Sequence, residues 1–236
     1  MKTLLPLYVH PVDDPAAWDL IAHSSHDTTV IVNVHNGPGA ALEPPYAAAT
    51  GQLARAGVPM VGYVDLGYGR RPLPEVMADL AAWRRYPITG VFFDQSPTAA
   101  ADVTTVAVAV RTARRSGYST VILNPGTVPA AVYRDLDAQV CSFEGGWDAY
   151  LRWDGDGACI GDGHLVYGVH VDRCAEAERL AARRGAGFGL VSDVCWPRPY
   201  ERLPTSYASA AGSYRRAASS YAAAAGSVGT RTTTGS

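Results

Sequence analysis

Two acidic residues of this chain stand at the ends of strongly apolar runs. Asp94 ends the run at 91–93, and Glu144 follows Phe143 and precedes a Gly-Gly pair. Burying an unpaired carboxylate is costly, so a carboxylate in such a position usually faces a functional cavity. Two carboxyl groups that flank one bond can serve as acid, base or nucleophile, which is what cleavage of a glycosidic bond requires. We therefore predict Asp94 and Glu144 as a catalytic pair.

Further polar and aromatic side chains end the other apolar runs. Amide, hydroxyl and guanidinium groups hydrogen-bond the hydroxyls or the N-acetyl group of a sugar, and aromatic rings such as Trp147, Trp196 or Tyr68 stack on its apolar faces. This mixture predicts a polysaccharide or oligosaccharide as the binding partner. The predicted substrate contacts are Tyr8, His10, Asn33, Tyr63, Asp65, Arg71, Gln95, Asn124, Asp193 and Trp196.

Some of these residues have a second interpretation. Asp65 and Asp193 could cap the helices that follow them or bond loop amides. His10, His35 and His170 could form the metal cluster of a metal-dependent hydrolase, although histidines at strand ends are more often hydrogen-bonding pocket residues. The four cysteines have neither CxxC spacing nor histidines in zinc-finger order. We expect no metal and no other cofactor.

The elements that must position these residues follow from a repeated pattern. Eight short apolar runs rich in β-formers start at intervals of roughly 20 to 32 residues, the spacing of a strand plus one return helix. Helix-like stretches lie between them, several opening with proline and several closing at Gly57, Gly117 or Gly185. The predicted strands are residues 4–10, 29–35, 58–65, 88–95, 120–125, 139–144, 164–170 and 188–194, and the predicted helices are 15–25, 45–56, 74–86, 102–116, 129–136 and 175–184.

Alternation of near-continuous apolar strands with helices predicts an α/β protein with a parallel sheet. Eight units favour closure into a single-domain (β/α)8 TIM barrel, because closure leaves no edge strand. The rival, a doubly wound open sheet, would usually carry a Gly-rich phosphate loop after its first strand, and the segment at 10–13 is no such loop. We predict the barrel over residues 1–204, an Ala-rich helix packing on it at 205–225, and a disordered tail at 226–236.

The net charge of −2 and the pI near 6.3 give no reason to expect nucleic acid or a membrane as partner. The apolar run near the N-terminus is too short for a transmembrane helix and lacks a small-residue processing site. The expectation is a cytoplasmic protein as the sequence is written, or a secreted one if a signal was removed. We expect a monomer.

Several of these motifs, taken in order, resemble the spherulin-4-like family (spherulation-specific family 4). The matching segments cover roughly residues 4–145, and the order and spacing of the set are more specific than any one motif. They are residues 6–8, the Asn-Val-His-Asn-Gly-Pro-Gly run at 33–39, 62–64 with Tyr68 and Arg71, 90–94, 124–126 and 143–144.

The resemblance implies a (β/α)8 barrel that hydrolyses α-1,4-linked, galactosamine-containing polysaccharide in an endo-acting manner. It also implies an acidic site made of an Asp-Glu pair ending strand four and a Glu ending strand six. Asp94 and Glu144 match, but the second residue of the pair is Gln95, and an amide cannot shuttle a proton. Three outcomes follow: Asp94 and Glu144 suffice, Asp65 or Asp193 has taken over, or the chain is a carbohydrate-binding pseudoenzyme. We expect the galactosaminidase-like glycoside hydrolase.

Overall fold

The computed structural model describes residues 1–24 and 27–205, without the side chain of Ser24. The predicted helix at 205–225, apart from its first residue, and the predicted tail at 226–236 lie outside the described residues.

Eight parallel strands close into one barrel in chain order, which confirms the (β/α)8 prediction over the open sheet. Closure is made by β1 and β8, where Lys2 pairs with Phe188. The strands are β1 Lys2–Leu7, β2 Thr28–Val32, β3 Met60–Asp65, β4 Gly90–Asp94, β5 Thr120–Asn124, β6 Gln139–Gly146, β7 Gly163–Tyr167 and β8 Phe188–Val191.

Helices connect the strands on the outside of the barrel. The described α-helices are α1 Pro15–Ser24, α2 Pro44–Arg55, α3 Leu73–Ala82, α4 Val103–Arg115, α5 Trp147–Arg152 and α6 Cys174–Arg183. Prolines occupy the first turns of α2 and α3, as predicted. Gly57, Gly117 and Gly185 follow α2, α4 and α6 with positive φ, which confirms the predicted left-handed helix ends.

Two connections differ from the prediction. The segment expected as a helix at 129–136 is a 3-10 helix over Ala131–Asp135, and the short helix α5 was not expected. A 3-10 helix rises about 2.0 Å per residue against about 1.5 Å for an α-helix. The connection from Asn124 to Gln139 is short, and the steeper rise lets it return to the start of β6 with fewer residues.

Close packing between Gly62 and Trp83 holds β3 in place beside β4. Gly62 lies against the indole of Trp83, so closely that a Cβ on Gly62 would come within 2.5 Å of the ring. The indole N–H of Trp83 donates to the carbonyl oxygen of Tyr63 at 2.8 Å. Because β3 is held in this way, the Tyr63 side chain, only 4% exposed, has a fixed position near the end of β4.

Candidate active site

The two predicted acids lie on β4 and β6, and both accept hydrogen bonds from the side-chain amide of Asn124 on β5. Asp94 is the last residue of β4 and Asn124 the last residue of β5, and the two pair in register. The Asn124 Nδ2 atom donates to Asp94 Oδ1 at 2.7 Å and to Glu144 Oε2 at 2.5 Å. Glu144 therefore reaches the same group from β6, and the two carboxyl groups lie on either side of one nitrogen.

The orientation of the Asn124 amide is set by the loop that follows β5. The backbone N–H of Gly126 donates to Asn124 Oδ1 at 3.2 Å, so the Nδ2 atom must face the acids. The carbonyl oxygen of Gly126 in turn accepts from the backbone N–H of Glu144 at 2.9 Å. Gly126 has a φ of +69°, a conformation that suits glycine. One turn thus positions the bridging amide and the strand that carries Glu144.

Two tyrosine hydroxyls complete the hydrogen bonding of the acids. Tyr63 donates to Asp94 Oδ2 at 2.9 Å, and Tyr200 donates to Glu144 Oε1 at 2.7 Å. With the two bonds from Asn124, each of the four carboxyl oxygens accepts a hydrogen bond from a neutral donor. Among the described residues, none of the ion pairs includes Asp94 or Glu144.

Burial changes the acidity of Asp94. Withdrawal from water and, second, the charge of Glu144 raise the pKa of Asp94 to about 6, against the lowering effect of its hydrogen bonds from Tyr63, Asn124 and the backbone of Gln95. Asp94 can therefore hold a proton in mildly acidic solution, where an ordinary aspartate would be ionised. Burial likewise raises the pKa of Tyr63 well above its usual range, so Tyr63 remains a hydroxyl donor.

Gln95 turns the chain sharply at the end of β4. Its φ of +49° lies in the left-handed region, which is strained for a residue with a side chain. Its carbonyl oxygen accepts from the backbone N–H of Tyr68 at 2.7 Å. The turn keeps Gln95 in the cavity lining beside Asp94.

A cavity of about 640 Å³ opens over the two acids. The rings at its edge are exposed: Tyr68 by 53% and Trp196 by 72%. Trp196 stacks on Tyr167, with ring centroids 6.4 Å apart and the planes inclined by 30°. The cavity is lined by Tyr8, Tyr68, Asp94, Gln95, Asn124, Pro125, Gly126, Thr127, Glu144, Tyr167, Trp196, Pro197, Arg198, Pro199, Tyr200 and Glu201.

The structure brings most of the residues predicted on strands four to eight to this cavity: Asp94, Gln95, Asn124, Glu144 and Trp196 line it. Tyr8, after β1, also lines it, and Tyr63 of β3 lies behind Asp94. Of the three rings suggested for stacking, Trp196 and Tyr68 are available. Trp147 is only 6% exposed and packs in a separate apolar cluster with Phe143 and Tyr150.

Three residues predicted on the first three strands lie away from the lining. Asn33 accepts the backbone N–H of Gly37 at 2.9 Å. Asp65 accepts the backbone N–H of Gly67 at 2.6 Å and the amide of Asn36 at 3.2 Å. Arg71 donates to the Asp65 carbonyl and forms an ion pair with Asp79 at 2.7 Å. Their role as substrate contacts stays a prediction.

His10 and Asp193 also lie outside the cavity lining. The ring of His10 packs edge-on against Tyr46 at 5.1 Å, and its Nδ1 accepts the backbone N–H of Val12. Asp193 accepts the backbone N–H of Thr205 at 2.7 Å and its hydroxyl at 2.8 Å. For both, the assignment as substrate contact likewise stays a prediction.

The three histidines of the metal alternative have separate environments. His35 lies 3.4 Å from Glu43, and His170 lies 3.4 Å from Asp172 at the start of a 3-10 helix. Within the described ranges 1–24 and 27–205, no three histidine, cysteine or acidic side chains are grouped so that they could hold a metal ion. The four cysteines, all inside those ranges, are thiols.

The sequence analysis missed Tyr200 and Tyr167. Tyr200 lies in a Trp-Pro-Arg-Pro-Tyr segment at 196–200, directly after the eighth strand end, of which only Trp196 was selected. The combination of aromatics and prolines at a strand end was the available signal. It did not show that the chain would fold back far enough for Tyr200 to contact Glu144 on β6.

Comparison with known proteins identifies the family. The model of spherulation-specific family 4 (Spherulin4) matches residues 2–194. The chain belongs to this family. Membership confirms the resemblance predicted from the ordered strand-end motifs.

Spherulin-4 of Physarum polycephalum is 35% identical to this family member over an alignment of 153 residues, and the match covers 61% of this chain and 45% of that protein. The chain thus matches less than half the length of that relative. The structure of Aspergillus clavatus Sph3 in complex with GalNAc has a TM-score of 0.77 at 21% identity, covering 90% of this chain and 96% of that one. A β-mannanase from Streptomyces thermolilacinus has a TM-score of 0.50 at 14% identity, covering 86% and 83%. At these identities the two solved structures show a shared barrel fold.

No helix in the part of the chain that the structure describes is long and apolar enough to span a bilayer.

Proposed function

We propose that this spherulin-4 family member is a glycoside hydrolase that uses Asp94 and Glu144 to cleave internal linkages of an α-1,4-linked, galactosamine-containing polysaccharide. The observation that carries the proposal is the bridge made by Asn124, which donates to both carboxyl groups at the floor of an open cavity. Two carboxyl groups held at one short separation beside a sugar-sized cavity are the requirement for glycoside cleavage.

The short separation of the two carboxyl groups favours retention of configuration at the anomeric carbon. Asp94 Oδ1 and Glu144 Oε2 lie 2.7 and 2.5 Å from the same nitrogen, so these oxygens are at most about 5 Å apart. The carboxyl groups are about 5–5.5 Å apart in retaining enzymes and about 6.5–9.5 Å apart in inverting ones, which need room for a water molecule. The short separation supports a mechanism with a covalent glycosyl intermediate.

The raised pKa of Asp94, about 6, supports a role for it as the general acid and base. Glu144, whose two oxygens accept hydrogen bonds from Asn124 and Tyr200, is then the nucleophile. Asp94 gives its proton to the glycosidic oxygen as the bond from that oxygen to the anomeric carbon breaks, and Glu144 bonds that carbon. A water molecule that Asp94 deprotonates then attacks the same carbon and releases Glu144.

The substrate class rests on the family and on the shape of the site. The related Sph3 structure contains GalNAc, and the exposed rings of Tyr68 and Trp196 offer stacking surfaces at the cavity edge. Tyr8, Gln95 and Asn124 supply hydroxyl and amide groups in the lining. We propose that the chain acts on this polymer as a monomer.

Incubation of the purified protein with galactosaminogalactan, followed by measurement of new reducing ends, tests the proposal. We expect turnover by the wild type, and a loss of at least roughly 10³-fold in kcat for both Asp94→Asn and Glu144→Gln. NMR of the first products should show the α-anomer before mutarotation. Activity that survives both substitutions, or initial release of the β-anomer, would contradict the assignment. Glu178→Gln, which changes an exposed acid of α6 outside the cavity lining, is the matched control.

The alternative is a carbohydrate-binding pseudoenzyme, and Gln95 is the observation that favours it. Its amide lies in the lining beside Asp94, where the family resemblance implies a glutamate, and an amide cannot transfer a proton. Calorimetry that shows glycan binding without turnover, together with turnover gained in Gln95→Glu, would support this alternative. Turnover in the wild type excludes it.

A further inference from the structure

The segment that follows β8 returns to the cavity and brings Tyr200 to Glu144. The hydroxyl of Tyr200 lies 2.7 Å from Glu144 Oε1. Two other contacts hold the residue independently of that bond: its carbonyl oxygen accepts the backbone N–H of Tyr8 at 3.3 Å, and its ring packs edge-on against the Tyr8 ring at 5.7 Å. The position of the hydroxyl is therefore set by the end of β1 and not by Glu144 itself.

The far end of this segment is also fixed. Asp193, just after β8, accepts hydrogen bonds from the backbone N–H and the hydroxyl of Thr205 and pairs with Arg202 at 3.1 Å. The residues between Asp193 and Thr205 thus form a loop closed at its base, with Tyr200 inside it. This arrangement explains what the strand-end acid Asp193 does in the structure and why Tyr200 is held firmly against the barrel mouth.

Tyr200 can act only as a donor toward Glu144. Burial, and then the charge of Glu144, raise the pKa of the Tyr200 hydroxyl well above its usual range, so it stays protonated over the working pH of a protein. Hydrogen bonds donated to a carboxylate stabilise its ionised form. The second Glu144 oxygen is held by Asn124, so neither oxygen can rotate away without losing a bond.

Other groups around Glu144 are acidic or neutral, which makes this donor important. They are Asp94 from β4, Asn124 from β5, Cys141 from its own strand, Tyr167 from β7, Tyr8 from β1 and Tyr200 after β8. None of these is a cation, and Arg198, which also lines the cavity, is paired with Glu201 at 3.0 Å. The side-chain hydrogen bonds to Glu144 therefore come from two neutral donors, Asn124 and Tyr200.

We propose that Tyr200 is a positioning residue that donates to the Glu144 carboxylate and holds it in one orientation, and that the segment after β8 thereby completes the site. The catalytic meaning of this inference rests on the proposed function, in which Glu144 is the nucleophile. The hydrogen bond and its effect on protonation can be measured without any turnover.

The experiment is Tyr200→Phe in the full chain, with Tyr118→Phe as matched control. Tyr118 is also a buried tyrosine whose hydroxyl donates at 2.7 Å, but to the carbonyl oxygen of Leu80, outside the cavity lining. Carbon-13 NMR of glutamate-labelled protein, with the Glu144 signal assigned by Glu144→Gln, gives the titration midpoint of that carboxyl. In parallel, kcat, KM and their pH profiles are measured on the polymer.

For Tyr200→Phe we expect the Glu144 midpoint to move upward by about one pH unit, and kcat to fall by roughly 10- to 100-fold with little change in KM. The acid limb of the kcat/KM profile should move to higher pH by the same amount. Tyr118→Phe should leave the Glu144 midpoint, kcat and the acid limb of the kcat/KM profile unchanged.

An unchanged midpoint in folded Tyr200→Phe overturns the inference, as does an equal loss of kcat at every pH. If the wild type proves inactive, the proposed function fails, and the titration alone decides whether Tyr200 controls Glu144.

Discussion

At the ends of β4, β5 and β6 the polar side chains bond to one another across strands, whereas at the ends of β2 and β3 they bond to the loops that follow these two strands. Asp65 and Asp94 show the difference most directly, because they pair in register on neighbouring strands. Asp94 accepts from Tyr63 and Asn124, on the strands either side of it. Asp65 accepts from Gly67 two residues on and from Asn36.

The comparison teaches that an acid at a strand end is not by itself a candidate for catalysis. Where the following loop offers backbone donors, the carboxylate is satisfied locally and stabilises that loop. Where the donors belong to other strands, the carboxylate is held over the barrel axis, next to a second acid and partly withdrawn from water. That environment raises the pKa of Asp94 to about 6. The partners of the acid, more than its position, separate the two cases.

Two matched asparagine substitutions test the difference between these two parts of the rim, and the first of them has the largest expected effect. Asn124→Ala removes the donor shared by Asp94 and Glu144, leaves two close acids without their bridge, and should lower kcat/KM by roughly 10²–10³-fold. Asn33→Ala removes only the bond to the backbone of Gly37 and should cost about 1 kcal/mol of unfolding free energy, with activity within about threefold of the wild type. Initial rates and thermal or urea unfolding measure both.

A rise in KM for Asn33→Ala would support the prediction that Asn33 is a substrate contact and show that the cavity extends toward β2 when the polymer binds. Equal losses of activity for the two variants would remove the distinction between the two parts of the rim.

Much of the fold and part of the site could be predicted from the sequence because strand periodicity is local. Eight apolar runs at regular spacing predict the barrel, and a polar residue that ends a run is placed at the rim by the strand itself. Asp94, Asn124 and Glu144 were selected in this way, and the structure brings the three side chains into contact. What their side chains contact depends on loop paths, as the local bonds of Asp65 show.

Tyr200 could not be found by that argument because no strand carries it. Its place depends on the base closed by Asp193 and Thr205 and on packing against Tyr8, which join residues distant in the chain. The 3-10 helix Ala131–Asp135 was also missed, because its proline-led segment resembles those that begin the α-helices and its residues alone do not state which helix type forms.

A smaller effect is expected in the pH dependence of kcat/KM, and it tests the separate role proposed for Asp94. The proposed acid Asp94 must be protonated to donate, and its pKa in the folded protein is about 6. Activity should therefore be lost as pH rises through about 6, with kcat/KM falling about tenfold per pH unit above that value. A profile that stays flat to pH 8 would contradict the role of Asp94 as the acid.

Substitution of the two tyrosines should move opposite limbs of this profile. Tyr63 donates to Asp94, so Tyr63→Phe removes a bond that favours the ionised form and should shift the alkaline limb to higher pH, which broadens the active range. Tyr200→Phe should shift the acid limb upward instead and narrow the range. Each variant removes the tyrosine hydroxyl that donates to one of the two carboxyl groups. A shift of the same limb in both variants would mean that Asp94 and Glu144 titrate as one coupled group and that the separate roles proposed for them are wrong.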